Sequence, residues 1–308
     1  MNSRKSLSKL ALVLLLISGF KATAAGYYVQ DYANVQAEAG TAFAVDGRSY
    51  VSPKLVQPTL SNSTLASVSG SVVNGQFSTY QLAQASAGDK AEIGALHSFV
   101  SATSDSGFSN PPPVPIFNTG TAIGSAQDEV YWSDTISFRT DNPNGSDFYF
   151  SIKLDDNISA SGHWYPTETG FFVGSAQMLL SITQDNLHLA NPFLSISDQT
   201  AVRSDGTITC TPPESRIATL VFHDDNNLHG FATLTGKLST SASAKNGTGQ
   251  TTVDASNTGL FAFYSPDPLA SYSTASGAVF LTSVPEPTSL AAIAVACLMC
   301  ARRGKRLT

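Results

Sequence analysis

Between Ala25 and Val284 no long stretch of the chain places apolar residues at i, i+3, i+4 and i+7, and where the hydrophobic pattern is clear it repeats every second residue. A helix buries one face with a 3.6-residue repeat, whereas a strand needs a repeat of two. The central domain is therefore expected to be all-β. In Phe148-Tyr149-Phe150-Ser151-Ile152-Lys153-Leu154 the even positions should face a core, with Tyr149, Ser151 and Lys153 facing out. Upstream, Trp132, Ile136 and Phe138 share one face of residues 131–139, interrupted by Asp134. The link from Thr140 to Ser146 is rich in turn formers and includes Asn144-Gly145, which suits positive φ. These two strands are expected to pair as a hairpin.

Further strands are predicted at Leu96–Ala102, Gln177–Thr183, Ile217–His223, Leu228–Thr235, Leu260–Tyr264 and Ala278–Thr282, with Phe171-Phe172-Val173 as a short, fully buried one. Abundant Ser, Thr, Gly, Ala and Asn with turn residues between short strands favour an antiparallel β-sandwich, jelly-roll-like, over a parallel α/β sheet. Asn110-Pro111-Pro112-Pro113-Val114-Pro115 must be extended, either as a sandwich loop or as a linker after a small N-terminal β unit.

The two ends have a different character. Arg4, Lys5 and Lys9 precede the apolar run Leu10–Phe20, and Ala22-Thr23-Ala24 follows it. That order is a secretory signal peptide over residues 1–25, cleaved after Ala24 or Ala25. At the other end, Val284-Pro285-Glu286-Pro287 precedes a 13-residue apolar run, Ser289–Ala301, and then Arg302, Arg303, Lys305 and Arg306. The prolines keep the motif extended. The apolar run is short beside the roughly 20 residues of a spanning helix, and the cations favour retention on the cytoplasmic side. This three-part tail, residues 284–308, resembles the PEP-CTERM sorting signal. The resemblance implies recognition of Pro285, Glu286 and Pro287 by an exosortase, after Sec export and a transient inner-membrane stage. It implies delivery to the cell surface or extracellular matrix of a Gram-negative bacterium. Residues 94–102, 132–138 and 254–260 also resemble recurring phrases of uncharacterised PEP-CTERM surface proteins, which implies an all-β ectodomain over 26–283, flanked by a signal helix and a short hydrophobic helix.

Without its ends the chain keeps nine basic and 22 acidic residues, a formal balance near −13 against −6 for the whole. Such a surface repels nucleic acid and anionic lipid. Cys297 and Cys300 lie in the tail, so Cys210 is alone in the body and an internal disulfide is excluded.

Enzyme signatures are missing from the sequence: there is no Gly-x-Ser-x-Gly, His-Glu-x-x-His or Walker sequence. The densest polar cluster, His223-Asp224-Asp225-Asn226-Asn227-Leu228-His229, reads as a hairpin turn, with a metal or acid/base site as the alternative. No cofactor is implied, although calcium is the metal that Asp155, Asp156, Asp224, Asp225 or the set Asp141, Asn144 and Asp147 would suit. Asn62, Asn144, Asn157 and Asn246 stand in glycosylation sequons. Trp164 and Tyr165 sit among turn residues, where they are either core-edge aromatics or a platform for sugar rings. The expectation is a non-enzymatic surface or matrix protein with a structural or adhesive role beside exopolysaccharide. A carbohydrate-binding module is the alternative, and a secreted hydrolase comes last.

Overall fold

The computed structural model describes residues 27–39, 42–52, 59–74, 77–110, 122–164, 169–183, 193–212, 216–224 and 230–282. The expected leader, the expected C-terminal sorting segment, Tyr165 and Asp225 lie outside the described residues, and so do the two helices expected to flank the domain.

Every regular element among the described residues is a strand, and every strand pairing is antiparallel. In sheet I, β11 (Ile208–Thr211), β10 (Phe193–Arg203), β9 (Phe171–Thr183), β13 (Gly230–Lys245), β6 (Ala122–Thr140), β1 (Tyr28–Ala39) and β2 (Ala42–Ser52) follow in spatial order, and β15 (Ala270–Thr274) pairs the far end of β6. Sheet II runs β12 (Ile217–Asp224), β7 (Ser146–Leu154), β14 (Thr248–Tyr264), β5 (Ala95–Asn110), β4 (Phe77–Glu92) and β3 (Thr59–Asn74), with β8 (Asn157–His163) beside the first half of β14. Strands from before the Pro-rich stretch pair with strands from after it, β1 with β6 and β5 with β14.

The sheets meet through alternate residues. On one side of the sandwich the inner faces carry mostly small residues, among them Ala33, Ala37, Ala83, Ala85, Ala102 and Ala126. There Cα atoms of β1, β4, β5 and β6 approach within 8 Å across the sandwich. Gly124 marks a close approach, since a Cβ at this position would sit 2.4 Å from the Gln84 carbonyl oxygen of the facing sheet. On the other side the inner faces carry rings. Phe148 and Phe150 of β7 stack on Phe263 at centroid distances of 5.7 and 4.5 Å, and Phe222 of β12 lies 5.2 Å from Phe138.

Two expected hairpins are corrected. The segments 131–139 and 146–154 belong to different sheets, in β6 and β7, and the turn between them is a corner that passes from one sheet to the other. Both segments carry large apolar residues on one face, and pairing within one sheet would leave those faces side by side instead of opposed. Gly145 takes φ +79 at that corner, and the Thr140 and Ser146 hydroxyls bond across it at 2.5 Å. The segments 217–224 and 230–245 likewise separate into sheets II and I, so His223 lies within β12 and does not open a hairpin turn.

Local expectations shift too. Ser151 and Lys153 are buried rather than outward in solvent. Their cross-strand neighbours cover them, Thr219 and Ala262 beside Ser151, and Ile217 and Leu260 beside Lys153. The Lys153 stem lies under that cover while Nζ reaches the Asp155 carboxylate at 3.7 Å. Phe171–Val173 is not a short buried strand but the start of the 13-residue β9, with only Phe172 fully enclosed. Of residues 278–282, Leu281 alone makes a bridge, parallel to Ala262.

Asp134 explains its own interruption of the apolar face. It points inward, fully buried, and accepts bonds from the Ser276 hydroxyl and from the Ser276 backbone N–H at 3.2 Å. Burial raises its pKa, and the Ser276 bonds offset only part of that rise. The clasp holds the segment after β15, whose Phe280 packs 5.3 Å from Trp132.

Candidate functional site

With the apolar half of each strand turned inward, the outer faces carry the polar half. On sheet II the period-two order makes rows across four strands. Ser86, Ser101, Thr252 and Ser159 are successive cross-strand partners, and so are Gln84, Thr103, Gln250 and Ser161. The hydroxyls within the first row bond in pairs, Ser86 to Ser101 at 2.7 Å and Ser159 to Thr252 at 2.6 Å.

A groove of about 530 Å³ opens over the second row and its neighbours, lined among others by Thr103, Asp105, Ser161, His163, Thr248 and Gln250. Asp105 is the one carboxylate among its described lining residues. Thr248 donates its hydroxyl to Asp105 Oδ1 at 2.7 Å, and Tyr80, 38% exposed, donates to the same oxygen at 3.3 Å. A second groove of about 420 Å³ lies at the other end of the face, where Lys90 and His97 are cross-strand partners. His97 Nδ1 meets the Ser256 carbonyl oxygen there at 2.5 Å, beside the register shift in β14. Phe99, 40% exposed, stands between the grooves opposite Gly88 and Asp254.

From Asp105 to His97 is eight residues along one strand, about 27 Å at the rise of an antiparallel strand. The face is thus a polar track with an exposed aromatic near one end and another within it. Hydroxyl and amide groups both donate and accept, so they suit a ligand that itself carries many hydroxyls. Aromatic faces add contact area for the apolar side of such a ligand.

Several of the residues expected to hold calcium make other contacts among the described residues. Arg216 bonds Asp156 and, at 3.3 Å, Asp198, tying the β7–β8 corner of sheet II to β10 of sheet I. Burial pushes the Asp156 carboxyl above its ordinary pKa and Asp198 adds to this, while Arg216 pulls the other way. Asp155 faces Lys153, Asp141 pairs Arg139 at 2.6 Å, and Asp147 accepts from His223 Nδ1 at 2.8 Å. Asp224 is buried at the end of β12, opposite Ser146.

Trp164 is not on the track. Its ring lies 5.1 Å from Phe172 and packs half-buried against the core, closing one end of the sandwich. Nearby Asn246, a sequon residue, takes φ +48 between β13 and β14. Its amide donates to the Thr169 carbonyl at 2.9 Å and its oxygen accepts from the Ala122 N–H at 3.3 Å, so the side chain serves as a clip. Cys210 is exposed on β11.

Sequence reasoning did not single out Asp105, Thr103, Gln250 or Ser161. The signal was present as alternation, in Ser101-x-Thr103-x-Asp105, Thr248-x-Gln250-x-Thr252 and Ser159-x-Ser161-x-His163. What was missing was the register that lines these runs up.

A scan against family models finds none that matches the chain, and a search of curated proteins finds no match to it either.

Proposed function

We propose that the protein is an exported surface or matrix protein, structural and adhesive rather than catalytic, that lays a polysaccharide chain along the outer face of sheet II. The observation that carries this reading is the track between the two grooves, with its rows of Ser, Thr and Gln and exposed Tyr80 and Phe99. A sheet face with polar rows and grooves suits an extended glycan whose hydroxyls point to its edges. The acidic balance of the body disfavours a polyanion, so the ligand class is a neutral polysaccharide. The bonds that Asp155 and Asp156 make to Lys153 and Arg216 favour binding that needs no calcium.

Affinity electrophoresis in gels containing hydroxyethyl cellulose tests the reading. The intact ectodomain should be retarded, with and without a chelator, and Asp105→Asn with Gln250→Ala should migrate faster. Unretarded migration of the intact ectodomain would contradict it.

Export and sorting rest on the terminal sequences. The signal segment ends at Ala22, Ala24 and Ala25, and Pro285, Glu286 and Pro287 with the basic stop Arg302, Arg303, Lys305 and Arg306 form the removable address for an exosortase. The jelly-roll-like wrapping belongs to this proposal as well. It is supported by the chain's passages between sheets at β2 to β3, β5 to β6, β6 to β7, β8 to β9 and at every step from β11 to β15. Mass spectrometry of the mature protein from cells with and without exosortase should show loss of residues 284–308 only in the former. An intact C-terminus in both would remove the sorting claim.

A further inference from the structure

The outer face of sheet I carries a second cluster that the sheet II track does not use. Tyr28 and Tyr32 are 36% and 39% exposed on the same face of β1. Between them in the strand, Gln30 is the cross-strand partner of Tyr131 on β6, and Tyr131 is in turn the partner of Lys237 on β13. Tyr32 is the partner of Glu129. The three rings therefore form a zigzag along about 14 Å of strand, four residues at the usual rise.

The middle of this zigzag is a built cluster. Lys237 Nζ donates to Glu129 Oε1 at 2.8 Å and lies 5.0 Å from the centre of the Tyr131 ring, while the Tyr131 hydroxyl donates to Glu129 Oε2. Burial pushes the Glu129 carboxyl up, yet the bonds from Lys237 and Tyr131, with the charge of Lys237, outweigh it and hold the group below its ordinary value. Burial lowers the Lys237 ammonium, and its bonds to Glu129 and Tyr131 more than reverse that. At neutral pH the cluster is a compensated ion pair that fixes Tyr131 and adds no net charge to the face. Ser239 and Gln177 continue the row from Glu129 across β13 and β9. Rigid rings, amides and hydroxyls are the recognition chemistry already argued for sheet II, now on the opposite surface of the sandwich.

We infer that the sandwich is bivalent: the Tyr28–Tyr131–Tyr32 face of sheet I binds a second neutral glycan chain, so that one molecule cross-links two polysaccharide strands. The inference rests on the polysaccharide reading of sheet II and adds a second site to it. Because the two faces point away from each other, one short chain cannot occupy both, and cross-linking follows from geometry rather than from oligomerisation.

The test measures two quantities on the ectodomain in hydroxyethyl cellulose: retardation in affinity gels, which needs one site, and solution viscosity, which rises only when chains are bridged. The wild type should be retarded and should raise the viscosity. Tyr32→Ala with Tyr28→Ala, and separately Asp105→Asn with Gln250→Ala, should each keep several-fold weakened retardation and lose the viscosity rise; combining them should abolish both effects. Unchanged melting curves would show that these outward substitutions leave the fold intact. A full viscosity rise in the Tyr28/Tyr32 variant, or complete loss of retardation in the Asp105/Gln250 variant alone, would overturn bivalency while leaving the sheet II site standing. A wild type that is not retarded would overturn the polysaccharide reading itself.

Discussion

The two halves of the sandwich interior solve the same problem in opposite ways. Around β7, β12 and the end of β14 the sheets are held apart by rings, with Phe138, Phe148, Phe150, Phe222 and Phe263 in mutual contact. Around β1, β4 and β5 alanines and Gly124 let the backbones come close, and the space left is too thin for large side chains. Polar groups fill part of it: buried Ser98 donates to Asp128 Oδ2 and shares a bond with the Thr240 hydroxyl, both at 2.5 Å. One half is therefore stabilised mainly by buried apolar area, the other by close fit and by hydrogen bonds within a narrow gap. The difference teaches that a regular outer face does not require a uniform core, since both outer faces keep the same two-residue alternation over either filling.

The largest effect is expected in the aromatic half. Phe148→Ala should cost about 3–5 kcal/mol by denaturant unfolding, because a fully buried ring with several stacked neighbours is lost. A cost under about 1 kcal/mol would mean that the rings do not set the spacing of this half.

The thin half should respond to the reverse change. Ala102→Leu is expected to cost about 1–3 kcal/mol through overpacking, whereas an added methylene group is easier to absorb where rings can shift. Gly124→Ala belongs to the same test, as its new Cβ would meet the Gln84 and Thr103 carbonyl oxygens at 2.4 and 2.6 Å. Ser98→Ala should follow at about 1–2 kcal/mol, from the loss of its bonds to Asp128 and Thr240.

A smaller effect concerns pH. The folded pKa of Asp134 is raised above its unfolded value near 3.8, so the folded state holds the proton to higher pH than the unfolded state. Its contribution to stability therefore increases as pH falls from neutrality through the folded value, and levels off below 3.8. Asp134→Asn should remove that increase in melts collected across the range; an unchanged pH profile would show that Asp134 does not titrate differently on folding. Smallest of all, calcium should leave the melting temperature unchanged, because Asp155 and Asp156 already face Lys153 and Arg216.

The alternation of Phe148–Leu154 made the β class and the inward positions legible, and the inward set Trp132, Ile136 and Phe138 was equally readable. Partnering was not. A local turn such as Asn142–Gly145 looks the same whether it joins neighbours in one sheet or turns a corner between two, and the choice is made by distant strands that the local sequence does not contain. The outward track was hidden for the same reason. Ser101, Thr252 and Ser159 come from strands far apart in sequence, and only the register makes them one row. Trp164 was conspicuous because tryptophan is rare here, yet its ring lies against Phe172, while outward Tyr28 and Tyr32 drew no notice.

The central claim is that the outer face of sheet II holds a neutral polysaccharide, and nuclear magnetic resonance titration with a β-1,4-linked glucan oligomer tests it most directly. The predicted result is saturable shift changes at Thr103, Asp105, Ser161, His163 and Gln250 that extend toward Phe99, with the Trp164 indole signal unmoved. Absence of shifts at those residues under saturating oligomer, or shifts centred on Trp164 instead, would contradict it.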